Sequence, residues 1–258
     1  MKLYIIGNGF DIVHGLKTKY SDFKCYLKKY DSSLYSQLNE IYKNEELWSD
    51  FEKALASPNL DLLNKLDNFF GKNTLGTIFF YNIKIALEKW IETIDYNSST
   101  RILNVDKANY YFTFNYTYTL ENFYNINGFK IKHIHGKVLP YTPYSDLKFG
   151  HNNTKNNDVE LITCSLKNTK AIIEDNKEYF GTLPTCITEI IVIGVSYNNI
   201  DYPYFEVISK KCKNAKWIFY YYTNSDKSNL INNYIKRLKL KKSVYEMIHT
   251  SKLPINNN

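Results

Sequence analysis

Short, unbroken runs of apolar and β-branched residues recur along this chain, over residues 3–6, 110–114, 130–134, 147–149, 189–193 and 217–222. A strand with one wet face alternates apolar and polar residues. A strand buried on both faces reads as a continuous apolar run, which is the habit of parallel sheets covered by helices. Segments with helical spacing lie between the runs: 20–30, with Tyr20, Phe23, Leu27 and Tyr30 on one face behind a candidate Thr18 cap, then 45–55, 78–94, 204–212 and 228–238. This alternation predicts an α/β fold, a Rossmann-like, doubly wound and mostly parallel sheet. About a hundred residues separate the first strand from the second, far more than one crossover needs. Residues 18–96 are therefore expected to form a helical insertion after the first strand, inside a single domain spanning 1–258. The asparagine-rich stretches 152–157 and 256–258 read as a loop and a frayed tail.

Composition narrows the classes of function. The 258 residues are 44% hydrophobic and 23% charged, which suits a globular protein with a sizeable core. The 24 Tyr and 15 Phe, with 33 basic residues of which only Arg101 and Arg237 are arginine, follow the bias of A/T-rich codons. A formal charge of +7 would otherwise suggest nucleic acid, but the lysines are spread along the chain and arginine is nearly absent, so nucleic acid is not expected as a partner. Cys25, Cys164, Cys186 and Cys212 lie far apart with no C-x-x-C pair, which argues against a zinc ribbon or a disulfide framework. The run at 3–6 is too short for a signal-peptide core, and no apolar stretch reaches the roughly 20 residues of a membrane span. A cytoplasmic protein with no membrane partner is the expectation.

Ligands of open α/β sheets bind beyond the carboxyl ends of the strands. The first strand is followed by Gly7-Asn8-Gly9-Phe10-Asp11, a turn that lets backbone approach a phosphate with the free amides of a helix facing the anion. It departs from the dinucleotide fingerprint, which wants glycine where Ile12 stands. Asp11 is otherwise a helix cap. Asn115, at the end of 110–114, delivers an amide that both donates and accepts, suited to a water or a ribose hydroxyl. Of five histidines, three fall between His133 and His151. His133 and His135 share a side if one strand runs through both. His135, beside Gly136, reads as a general base, while His133, His135 and His151 with a carboxylate read as a metal site. Gly194-Val195-Ser196 lacks the second glycine of a nucleophile elbow, so Ser196 and Asp201 read as polar contacts to a nucleotide, with Asp201 alternatively capping the next helix. In the insertion, Trp48 and Phe51 read as core. Asp50 and Glu52 read as solvated, with Glu52 alternatively a lid residue reaching the pocket.

Taken together, Leu3-Tyr-Ile-Ile-Gly-Asn-Gly-Phe-Asp11, His14-Gly-Leu-Lys-Thr18, Tyr20-Ser-Asp-Phe23, Trp48-Ser-Asp-Phe-Glu52, Phe112-Thr-Phe-Asn-Tyr-Thr117, His133-Ile-His-Gly136 and Gly150-His151 resemble the bacteriophage abortive infection AbiH family. The glycine loop, Thr113-Phe-Asn-Tyr116, His135-Gly136 and Gly194-Val-Ser196 are also similar to sirtuin-like domains. Asp11 replaces their usual Ser or Thr, Thr117 stands where Asp is common, and the four-cysteine zinc module is missing. What the resemblance implies is an antiphage effector that binds NAD as substrate and hydrolyses its nicotinamide–ribose bond without a metal. Asn115, His135 and Asp11 would then be catalytic, and Gly7, Asn8, Gly9, Phe10, Thr113, Gly194, Ser196 and Asp201 would bind the nucleotide. A metal-dependent hydrolase or nuclease built on His133, His135 and His151 and a non-catalytic nucleotide sensor are the alternatives. A phage-derived trigger or regulatory partner and homo-oligomerisation stay open.

Overall fold

The computed structural model describes residues 1–43, 45–63, 75–98, 102–138, 146–152 and 159–256. Arg101 and most of the expected 152–157 loop and C-terminal tail lie outside the described residues. Six strands form one sheet: β1 (Lys2–Ile6), β2 (Tyr110–Thr113), β3 (Ile131–His133), β4 (Glu189–Ile193), β5 (Lys216–Tyr221) and β6 (Tyr245–His249). Every pairing is parallel and the order is β3-β2-β1-β4-β5-β6. That is the Rossmann-like, doubly wound α/β arrangement expected from the apolar runs.

Both faces of the sheet are covered, which is why its central strands carry no polar alternation. Leu3 and Ile5 of β1 and Ile190 and Val192 of β4 point into one core, with Phe205, Ile208 and Trp217. Tyr4, Ile6, Ile191 and Ile193 point into the other, with Phe10, Tyr111 and Leu120. The helix Tyr202–Lys211 packs on the first face and the helix Thr119–Tyr124 contributes to the second.

Two expectations about strands fail. Residues 147–149 are not a strand: Leu147 and Phe149 are buried, but in irregular backbone outside the sheet, and Phe149 stacks on Phe51 and Phe80. A short apolar run reports burial, not conformation. Conversely, β6 was not expected, because Tyr-Glu-Met-Ile-His is an edge strand whose exposed Glu246 interrupts the apolar run. The candidate Thr18 cap also gives way. The Tyr20–Tyr30 helix is capped at Lys19, whose amide donates to the Asp22 carboxylate at 3.0 Å.

The chain divides into two compact units. Residues 1–16, 95–137 and 169–258 carry the sheet. Residues 17–94 and 138–168 form a mainly helical unit, so two excursions build it rather than one. Its interior is aromatic: Phe23 lies against Trp90 and Phe51, and the Trp48 indole donates to Asn39 at 3.1 Å. As expected, Phe51 is a core residue there.

One contact sets the spacing between β1 and β4 at their carboxyl ends. Gly7 donates to the Ile193 carbonyl and Gly9 to the Gly194 carbonyl, both at 2.9 Å. A Cβ on Gly7 would overlap the Gly194 carbonyl oxygen, and one on Gly9 would stand 2.6 Å from Gly194 Cα. Gly194 itself has φ +72°, and a Cβ there would run into the Phe10 amide. Gly194→Ala is therefore expected to cost about 3 kcal/mol or more, from the left-handed backbone and the overlap together. Gly181→Ala, in the Lys177–Thr182 helix with open space around it, is expected to be neutral or to stabilise by about 0.5 kcal/mol. Urea unfolding of both variants checks the contrast, and equal midpoints would refute it.

Candidate functional site

After β1 the chain builds β2 and β3 on one side of it, then returns to build β4 on the other, so the winding reverses between β1 and β4. Crevices of open α/β sheets form at such a reversal. The turns there are Gly7-Asn8-Gly9 and Gly194-Val195-Ser196, and Ser196 is exposed. The sequence reading has the first turn presenting free amides to a phosphate. The structure differs: the amides of Gly7, Gly9 and Phe10 donate to Ile193, Gly194 and Gly7. The glycines are required by backbone packing, whatever else they do.

Asn115 is tied at its backbone N–H, its backbone carbonyl and its side-chain NH2. Its amide N–H donates to Thr113 Oγ1 at 3.0 Å, its side-chain NH2 donates to the Gly7 carbonyl at 3.2 Å, and its carbonyl accepts from His133 Nδ1 at 2.9 Å. Asn115 therefore faces the turn after β1, as its position at the end of β2 implied. Asp11 lies inside the short helix Asn8–Val13 and is only 1% exposed, so it neither caps that helix nor stands open to solvent. Its two oxygens accept from Thr117 and Thr119, each at 2.6 Å. Burial drives the Asp11 carboxyl up to about 6, against the opposing pull of hydrogen bonds from Thr117, Thr119 and Asn115. In this state Asp11 holds the β2 turn in place from beneath.

The strand β3 ends at His133, so His133 and His135 do not share one side. His133 Nε2 lies 3.1 Å from Glu121, which also pairs with Lys137 at 3.3 Å. Burial works to raise the Glu121 carboxyl, but the His133 hydrogen bond and the nearby positive charges outweigh it and hold it low. His135 is 2% exposed. Its Nε2 lies 3.1 Å from the Tyr204 hydroxyl and 3.8 Å from Asp201 Oδ1, and its ring packs on Phe114. Asp201 precedes the Tyr202–Lys211 helix without capping it through its side chain. Asn115 is thus tied to the turn after β1, and His135 to the segment after β4.

His151 belongs to the helical unit, where its Nε2–H donates to Ser165 Oγ at 3.1 Å, because the Ser165 hydroxyl proton is given to Leu161. The three histidines that the alternative metal-site reading would bring together thus have three different sets of partners. Among the described residues no group of three His, Cys, Asp or Glu side chains is placed to hold a metal ion. Glu52 also sits in the helical unit, accepting from the Tyr20 hydroxyl at 3.0 Å and pairing with the buried Lys167 at 3.3 Å, so it is an ion-pair residue rather than a solvated one.

Sequence reasoning missed several groups. Thr119, Glu121 and Tyr204 each hold a candidate site residue, and the Thr-x-Thr spacing of 117 and 119 was the available signal. His14 was unweighted. It is fully buried, donates from Nδ1 to the Phe10 carbonyl at 2.7 Å and accepts the Tyr124 hydroxyl at 2.5 Å, so it is neutral, and burial lowers its pKa.

A carboxyl that binds its proton more tightly folded than unfolded stabilises the fold only while protonated. Asp11's contribution is full below the ordinary carboxylate range and is lost as pH rises through about 6. It amounts to about 3 kcal/mol. The stability of the wild type relative to Asp11→Asn should fall by about that much between roughly pH 4 and pH 7, read by urea unfolding at several pH values. A difference that does not change with pH would contradict the assignment.

The family model described as "Bacteriophage abortive infection AbiH" matches residues 3–76 and 72–221. No curated protein and no solved structure matches the chain.

Proposed function

The chain belongs to the bacteriophage abortive infection AbiH family, and from that premise we propose that it is an antiphage effector that binds NAD at the β1/β4 reversal and hydrolyses the nicotinamide–ribose bond. The observation that carries the reading is the gathering of Asp11, Thr113, Asn115 and His135, all buried and polar, at the carboxyl edge of β1 to β3. Polar side chains cost free energy to bury unless hydrogen-bonded, and apolar ones would close a sheet edge more cheaply, so such a cluster favours a working site over a packing one.

The chemistry asks little covalent work of the protein. The C–N bond breaks with its electron pair leaving on the nicotinamide nitrogen, positive charge grows on the sugar, and the oxygen of a water molecule bonds to the anomeric carbon. Asn115 orients that water or a ribose hydroxyl, and His135 takes the proton the water gives up. Asp11 acts through Asn115 and the two threonines as a positioning residue. Ser196 and Asp201, on the β4 side, are the polar groups that would meet the nucleotide, and the Gly7-Asn8-Gly9 turn would line it; Phe10, expected to bind the nucleotide, is instead fully buried in the core with Tyr4 and Ile6. His135 and Asn115 are closed over in this state, which suits an effector held at rest until a phage-derived trigger opens the crevice.

The test is loss of NAD, with release of nicotinamide, in purified protein and in cells under phage infection. Asn115→Ala and His135→Ala are each expected to lower turnover by about a hundredfold or more. NAD binding without turnover under infection would overturn hydrolysis in favour of a sensor, and neither binding nor turnover would overturn the NAD reading as a whole.

A further inference from the structure

We infer that residues 236–242, Lys-Arg-Leu-Lys-Leu-Lys-Lys, form a surface that binds the phosphate backbone of nucleic acid. The sequence reading sets nucleic acid aside because the lysines are spread out, but this run departs from that spread. It carries five positive charges and no carboxylate in a chain whose net charge is +7. Lys236, Arg237, Lys239, Lys241 and Lys242 are all exposed. The nearest acidic residues in sequence are committed elsewhere: Asp226 is bound to the Thr223 amide and Glu246 pairs with Lys216. Among the described residues, no ion pair involves any cation of the run.

The apolar members of the run decide the kind of partner. Leu238 and Leu240, partly buried, pack against the core on one face of the sheet, and the exposed Val244 beside the run is too small an apolar surface to anchor in lipid chains, so the surface shows mainly charge. A bilayer-binding segment needs that apolar half, whereas a solvated polyphosphate does not. Lysine is a point charge on a flexible stem and reads no base edge, so binding is electrostatic and independent of sequence. Arg237, the one arginine among the described residues, is already engaged: it lies 3.6 Å from the Tyr202 ring centroid and donates to Asn199 at 3.0 Å. It therefore joins the basic run to the segment after β4, the one that carries Asp201. None of this depends on whether NAD is cleaved.

The experiment measures binding of the full chain to a labelled duplex of about 30 base pairs across a salt series. With three to four phosphates neutralised, log K should fall against log salt with a slope of about −3 to −4, weakening binding about a hundredfold between roughly 50 and 200 mM salt. Two unrelated sequences should bind alike. Lys239→Gln, Lys241→Gln and Lys242→Gln combined should weaken binding tenfold or more, by about three fewer released counterions. A control with Lys107→Gln, Lys170→Gln and Lys213→Gln, equally exposed and equal in charge, should stay within about twofold. All six side chains are exposed, and thermal melts check that both variants fold. Equal loss in the two variants would reduce the effect to net charge and overturn the proposal. Absence of binding at low salt, competition by polyglutamate as strong as by DNA, or preferential capture by phosphatidylserine vesicles would overturn it as well.

Discussion

Backbone against backbone, the turn after β1 lies on the turn after β4 with no side chain between them, and the rest of the carboxyl edge takes its position from that contact. Gly7 and Gly9 can approach Gly194 only because none of the three carries a Cβ. The approach aims the Gly7 carbonyl at the Asn115 amide and starts the Asn8–Val13 helix where Asp11 falls between Thr117 and Thr119. A larger residue at any of the three glycines would push β1 and β4 apart, and the hydrogen bonds to Asn115 would be the first to lengthen.

The buried polar groups show how two opposing effects balance. Taking the Asp11 carboxylate out of water is unfavourable, and three hydrogen bonds recover only part of the loss, which leaves the acid weaker than an exposed one. For Glu121 the balance has the other sign, because it is less deeply buried and has both His133 and Lys137 beside it. Two carboxyls within one strand-end neighbourhood are thereby set apart in proton affinity, with Asn115 beside both: its side chain lowers the Asp11 pKa, and its backbone carbonyl accepts from His133, the partner of Glu121.

Much of the fold was legible because burial leaves a clear mark on composition. The runs at 3–6, 110–114 and 189–193 are continuous because successive residues enter opposite cores, as Leu3 and Tyr4 do. The same mark misled at 147–149, where Phe149 is buried by aromatic packing in the helical unit, and it failed at β6, where an edge strand is only half buried. Of the candidate site, the residues that end strands were readable from position, which is how Asn115 and His135 came forward. The groups that hold them were not. Tyr204 lies 69 residues from His135 and Thr119 lies 108 from Asp11, and no local pattern records such a pairing.

Residue type and spacing along the chain fix the class of fold, the strand ends on which polar groups stand, and membership in the abortive infection family. Long-range packing set the strand order, the separation of His133 from His135, the placing of His151 and Glu52 in the helical unit, and the closing of Asp11 against two threonines. The reason is physical: hydropathy and spacing act between neighbours in sequence, whereas desolvation, hydrogen-bond pairing and proton affinity are set by whichever distant groups the fold brings alongside.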